Sequence, residues 1–134
     1  MTNSIIVTGA GAGIGESIAR IAADRGYLVG VLDIDGDAAR QVAESIPGAV
    51  ALEAAVNDPA QVDAALDIFG TPDVLVNNAG IVRFGPLLDQ TVDDWRAVVD
   101  VNLTGMFVCS TACARRMAGA GGGSIVSITS INGI

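Results

Sequence analysis

The sequence predicts a three-layer α/β domain built on a doubly wound parallel sheet of five strands. Short β-branched apolar runs alternate with stretches of helical apolar spacing along the whole chain, the pattern of strands joined by helical crossovers. Hydrophobic residues make up 51% of the 134 and mean hydropathy is +0.53, yet no continuous apolar run approaches membrane-spanning length, which suits a sheet buried on both faces. Right-handed crossovers between successive strands give the expected order 3-2-1-4-5.

The first strand is the run Ile5 to Val7, followed by a turn of alternating small residues and a helix over Glu16 to Ala23. Gly26 ends that helix, and Tyr27 to Leu32 reads as a second buried strand closing at Asp33. Asp37 to Ile46 forms a helix stopped by Pro47-Gly48, and Ala49 to Val56 is the third strand. Asp58-Pro59 is an N-cap with proline at the first helical position, opening the helix Ala60 to Phe69. Asp73 to Val76 is the fourth strand, ending in Asn77-Asn78-Ala79-Gly80, and Arg83 to Gln90 is a loop. Thr91-x-x-Asp94 is a capping box for a long helix running to about Met117, with Trp95, Val99, Asn102, Met106, Cys109 and Cys113 at helical spacing. Glycines 119 and 121 to 123 form a connector, and Ser124 to Thr129 is the fifth strand.

Strand, glycine turn and helix in this order place backbone N–H groups where a helix end attracts an anion, and a pyrophosphate fits there. The residues concerned are Thr8, Gly9, Gly11, Gly13, Ile14 and Gly15. The G-x-G-x-x-G fingerprint fails in both registers, at Ile14 and at Glu16, and no Gly-Lys-Ser/Thr of a Walker loop follows. Asp33, about 20 residues beyond the turn, stands where a carboxylate accepts from the adenosine ribose hydroxyls and repels a 2′-phosphate. No arginine or lysine in the glycine turn or directly after Asp33 would neutralise that phosphate, so NAD is expected over NADP.

The net charge of −8 and pI near 4.1 argue against nucleic acid as a partner. The first residues lack a basic signal-peptide region and begin a strand almost at once, giving the expectation of a cytoplasmic protein with no membrane partner. Cys109 and Cys113 read as small core residues, since nothing around them resembles a metal set and the chain has no histidine. All seven basic residues are arginine, so the chain has no lysine.

Thr8-Gly9-x-x-x-Gly13-Ile14-Gly15, Asn77-Asn78-Ala79-Gly80 and the run from Gly123 to Ser130 together resemble the short-chain dehydrogenase/reductase family. The resemblance implies a Rossmann-like fold in which the glycine turn holds the cofactor, while Asn78, Ala79 and Gly80 border it and brace the sheet. It implies an alcohol or carbonyl substrate, oriented by Ser130, the serine just before Ile131-Asn132-Gly133. It gives Asn102 a water that leads to a catalytic lysine; a buried amide bonded to backbone at a helix kink is the alternative. The family's tyrosine exchanges the proton with the substrate oxygen, because a lysine four residues later lowers the phenol's ordinary pKa of about 10.

Several positions depart from that pattern. An aspartate usually follows the third strand to contact the adenine amino group; Ala55 stands there, with Asn57 or Asp58 as possible substitutes and the capping role favoured for Asp58. The only tyrosine is Tyr27, and the sequence ends four residues after Ser130. The expectation is therefore one domain over 1–134 that is the cofactor-binding portion of a larger fold. Its fifth strand would be an exposed edge and the Trp95 helix would lack a partner, so a homo-oligomer or a complementing C-terminal segment is expected. Two functions follow: an NAD-dependent alcohol/ketone oxidoreductase, or a dinucleotide-binding module without turnover. A methyltransferase using S-adenosylmethionine is disfavoured, since Thr8 stands where such loops carry an acidic residue.

Overall fold

Five parallel strands in the order β3-β2-β1-β4-β5 form the sheet of the computed structural model, which describes residues 2–130. In chain order the elements are β1 (Ser4–Thr8), α1 (Gly13–Asp24), β2 (Leu28–Asp33), α2 (Gly36–Glu44), β3 (Val50–Glu53), α3 (Pro59–Phe69), β4 (Val74–Asn77), α4 (Val92–Val99), α5 (Gly105–Gly119) and β5 (Ser124–Ser127). The expected strand order is the observed one.

Alternation along the strands supplies two separate cores. Ile5 and Val7 of β1, Val29 and Val31 of β2 and Val76 of β4 pack with Ala19 and Ala22 of α1 and Ala39, Val42 and Ala43 of α2. Ile6, Leu32, Leu52 and Leu75 point the other way, onto Val62, Ala65 and Leu66 of α3 and Val108, Cys109, Ala112, Cys113 and Met117 of α5. Both faces of the central strands are thus covered, the reason their sequence reads as continuous apolar runs rather than as alternation with polar residues.

The helix starts follow the capping chemistry legible in the sequence. Asp58 Oδ1 accepts from Ala60 N at 3.0 Å and Gln61 N at 3.2 Å, with Pro59 at the first helical position. Thr91 and Asp94 form a reciprocal capping box at α4: Asp94 N donates to Thr91 Oγ1 at 3.0 Å and Thr91 N donates to Asp94 Oδ2 at 3.2 Å. The Thr91 hydroxyl also donates to Asp94 Oδ2 at 2.7 Å, and this bond, with that from the Thr91 N–H, holds the Asp94 carboxyl below its ordinary pKa.

The structure corrects three of the boundaries and patterns. The third strand is Val50–Glu53 rather than Ala49 to Val56, because the Ala55 N–H leaves the ladder and donates to Gln61 Oε1 of α3 at 2.8 Å. The fifth ends at Ser127 rather than Thr129, opposite Asn77, where its partner β4 also ends. The long helix is interrupted by a π-helical turn over Asp100–Thr104, and its apolar stripe is buried only from Gly105 onward: α4 buries nothing and Trp95 is 70% exposed. The helical run Val92–Gly119, 28 residues, includes an 18-residue window of mean hydropathy 1.5, which by length and composition alone would suffice for a membrane span. One face of its α5 portion is committed to covering the sheet.

Strand β5 lies at the sheet edge and is exposed along its length, with Val126 45% exposed.

Candidate functional site

The strand order reverses direction at β1: the chain passes first to β2 and β3 on one side and later to β4 and β5 on the other. Crossover loops diverge at such a point and leave a crevice at the carboxyl ends of the strands. A cavity of about 710 Å³ opens there, in the size range of small-molecule sites. Its wall comprises Gly9, Ala12 and Ile14 from the glycine turn, Asp33 and Ile34 after β2, Ala55, Val56 and Asn57 after β3, and Asn78, Ala79, Gly80, Ile81 and Arg83 after β4; Ala97, Asp100 and Val101 close it from α4 and the π turn.

The glycine turn presents bare backbone to this cavity. Gly13, the first residue of α1, has φ +60° and open space around its missing Cβ. Gly15 is needed for packing instead: a Cβ there would drive into the Gly9 carbonyl oxygen and lie 2.5 Å from Asn78 Nδ2. No side chain caps α1, whereas α2, α3 and α4 are capped by Asp35, Asp58 and Thr91. The first intrahelical bond is Glu16 N to Ala12 O, so the first-turn amides of Gly13, Ile14 and Gly15 have no acceptor within the helix. An uncapped helix N-terminus on a cavity, reached over a turn in which residues 9 to 13 carry nothing larger than a methyl group, fits a diphosphate.

Asp33 ends β2 and lines the same cavity. Its carboxylate is fixed on both sides, Oδ2 accepting from Gly11 N at 2.9 Å and Oδ1 from Asp35 N at 3.0 Å. Each oxygen retains a further lone pair for a ribose hydroxyl. Gly11 thus serves by holding the carboxylate rather than by lining the cavity.

Thr8 acts from below. Its buried hydroxyl accepts from Asn78 N and Ala79 N, both at 3.0 Å, and donates toward Val76 O at 3.5 Å. The Asn78 side chain returns the tie, with Nδ2 3.1 Å from Thr8 O and 3.3 Å from Gly9 O. These bonds lock the end of β4 to the glycine turn where the sheet splits. Asn77, 4% exposed, donates to Ser110 Oγ at 2.9 Å and Ser127 Oγ at 3.4 Å, joining α5 and β5 to β4. Both amides thus brace the end of β4, Asn78 as expected and Asn77 in addition.

Asn102 sits in the π turn, and its amide is bonded at both ends to the backbone of Ile81. Ser130 lies three residues beyond β5 and does not line the cavity; Ile131, Asn132 and Gly133 lie outside the described residues. Tyr27 precedes β2 at the opposite end from Asp33, about 20 Å away along the strand, and packs on the α1/α2 core. Phe84 is 94% exposed, while Arg83 lines the cavity and approaches Asp94 to 4.0 Å. Sequence reasoning missed Ala12, Ile34, Val56, Ile81, Ala97, Asp100 and Val101 as wall residues; the last three lie on the exposed α4 and the π turn, whose placement over the cavity no local spacing reveals.

The family model for short chain dehydrogenases matches residues 3–134. A 3-oxoacyl-(acyl-carrier-protein) reductase of Synechocystis sp. is 41% identical over 96% of this chain and 56% of its own length. A D-threitol dehydrogenase of Mycolicibacterium smegmatis is 36% identical over 93% of this chain and 51% of its own. Among solved structures, a 3-oxoacyl-(acyl-carrier protein) reductase from Brucella melitensis with bound NAD superimposes with a TM-score of 0.92 at 34% identity, covering 98% of this chain and 54% of that one. The chain spans about half the length of the curated relatives it matches. On its glycine turn, its strand order and this match, the chain belongs to the short-chain dehydrogenase family of oxidoreductases.

Proposed function

We propose that this chain is the cofactor-binding portion of an NAD-dependent oxidoreductase that moves a hydride between the nicotinamide cofactor and an alcohol or ketone. The observation that carries the reading is the uncapped N-terminus of α1 sharing one cavity with a fixed Asp33 carboxylate. Nicotinamide supplies hydride transfer when bound. The residues of this chain hold and orient it: the amides of the glycine turn take the diphosphate, Asp33 takes the adenosine ribose, and Asn78, Ala79 and Gly80 border the other half. Ser130 is assigned to the substrate oxygen, and Asn102 is a positioning residue acting through Ile81.

The preference for NAD rests on charge. A 2′-phosphate would meet the Asp33 carboxylate, and the arginine of α2, Arg40, is engaged with Asp37 and, at 3.6 Å, with Glu53. The free, buried thiols of Cys109 and Cys113 suit the reducing cytoplasm to which we assign the protein.

The 134 residues contain no lysine and only Tyr27, so the acid/base pair has to come from elsewhere in a longer protein. A missing positioned acid/base group costs roughly 10²–10⁴ in rate. The exposed edge β5 and the unburied α4 are assigned to a second copy or to following residues of the same domain. The test is urea unfolding with and without cofactor, beside an alcohol oxidation assay. NAD at a hundred times its Kd should raise stability by about 2.7 kcal/mol, while this chain alone turns over no secondary alcohol. No stabilisation by NAD overturns the binding reading; ordinary dehydrogenase rates overturn the assignment of the acid/base pair.

A further inference from the structure

A second cavity, of about 330 Å³, shares one wall residue with the first: Arg83 lines both. Its volume is at the lower end for small-molecule sites. Leu87, Trp95 and Val98 supply its apolar surface, while Gln90 and Asp94 join Arg83 as its polar groups. Arg83 is the one cation among the residues lining either cavity.

Arg83 and Gln90 bring free donors to this place. Asp94 approaches the half-exposed guanidinium only to 4.0 Å, outside hydrogen-bond distance, and its Oδ2 is taken by the Thr91 N–H and hydroxyl. Among the described residues the guanidinium makes one hydrogen bond, from Nη1 to Val82 O at 3.4 Å, and its other N–H groups are unpaired. The Gln90 side-chain amide is unpaired there too. Its Nε2 rests over Gly85, where a Cβ would lie 2.8 Å from it.

Two donors set beside hydrocarbon select the ligand chemistry. A carboxylate accepts at both oxygens and sets one negative charge against one guanidinium. An amine would face a like charge, and a doubly charged phosphate would add its second charge to those of Asp94 here and Asp100 on the neighbouring wall. We propose that the second cavity binds an apolar monocarboxylate, with Arg83 and Gln90 holding the carboxylate and Leu87, Trp95 and Val98 the hydrocarbon. Resting on the cofactor reading above, this makes the substrate class a hydroxy or oxo acid, since Arg83 also stands on the wall of the dinucleotide cavity.

Trp95 is the single tryptophan of the chain, so its fluorescence reports this wall alone. The experiment titrates hexanoate, and hexanamide as an uncharged probe of the same size, into the unmodified chain, Arg83→Gln and Arg83→Lys at low salt. Hexanoate should give a saturable change with a Kd at least about fivefold below that of hexanamide, the scale of one charge-assisted hydrogen bond at a half-exposed site. Arg83→Gln should lose that preference, Arg83→Lys should keep part of it, and about 1 M salt should shrink it. Equal binding of the two probes, no saturable change with hexanoate, or an unchanged preference in a folded Arg83→Gln overturns the proposal. Should that variant fail to fold, the two probes on the unmodified chain decide alone. Calorimetric titration of NAD into the same chain separates the two readings. Selective hexanoate binding without NAD binding refutes the cofactor reading and leaves the carboxylate site standing; NAD binding without that selectivity refutes this proposal alone.

Discussion

Asn102 grips the backbone of Ile81 with both ends of its side-chain amide: Oδ1 accepts the Ile81 N–H at 2.8 Å, and Nδ2 donates to the Ile81 carbonyl at 2.9 Å. The pair closes as one strand residue closes on another, but across 21 positions of chain. It ties the π turn to the loop leaving β4, and Ile81 and Val101 beside it both line the cavity. Replacement by Ala leaves two half-buried backbone groups unpaired, for a loss of about 1–3 kcal/mol in urea unfolding. Asn102→Asp should cost at least as much at neutral pH, since a carboxylate oxygen then faces the Ile81 carbonyl. Equal stability of all three proteins would show that the tie contributes nothing.

Gly15→Ala sets two effects against each other. Within a helix the change ordinarily gains up to about 1 kcal/mol. Here the new methyl meets the Gly9 carbonyl and the Asn78 amide, a backbone and a doubly bonded side chain that cannot give way. Overpacking of this kind costs about 1–3 kcal/mol, so the net change should be destabilising, with loss of NAD binding. Gly119→Ala, at the end of α5 with nothing near its Cβ, should be neutral or stabilising, and urea unfolding of the pair measures the contrast.

Alkaline pH should unfold the protein through its thiols. Burial pushes the Cys109 pKa up to about 12, with Cys113 beside it adding to the rise; burial pushes Cys113 up to about 11 against the opposing Arg116 charge. Both groups ionise near 8.5 once unfolded. The unfolded state therefore releases protons first, and stability present below about pH 8.5 is lost as pH rises toward 11 and 12, on the order of 1 kcal/mol per pH unit for each thiol. Unfolding midpoints at pH 7 and pH 10 should converge in a Cys109→Ala, Cys113→Ala protein. An identical pH dependence with and without the thiols would refute this origin.

The β5 edge should associate. Ile125, Val126 and Ile128 are all exposed beside an unpaired strand edge, the arrangement that templates further strand pairing. Sedimentation over a concentration series should reveal species above the monomer, and Val126→Lys should diminish them. A monomer at every concentration would speak against the proposed covering of this edge.

Much of this was legible because the determinants are local. The alternation of Ile5, Ile6 and Val7 sends side chains to two cores, and Asp58-Pro59 and Thr91-x-x-Asp94 specify helix starts within four residues. The cavity's glycine turn, Asp33 and the Asn77-Asn78 braces were legible for the same reason, being strand-end residues whose placement follows from the strand order. The π turn was legible only as one of two readings, an Asn102 amide bonded to backbone at a helix kink, since its partner Ile81 lies in another segment. The short β3 was not legible: Gln61, a turn further on, captures the Ala55 N–H that a longer strand would have used. Trp95 has the spacing of a core residue, and spacing alone does not show that α4 has no layer to pack on among the described residues.

The central claim is a carboxylate at the adenosine ribose and bare amides at the diphosphate. Its most direct test is equilibrium titration of NAD and NADP into this chain and into Asp33→Ala. The account predicts that the unmodified chain binds NAD and favours it over NADP by about tenfold or more, and that Asp33→Ala loses that preference. NADP binding as tightly as NAD to the unmodified chain, or a preference untouched by removing Asp33, would contradict it.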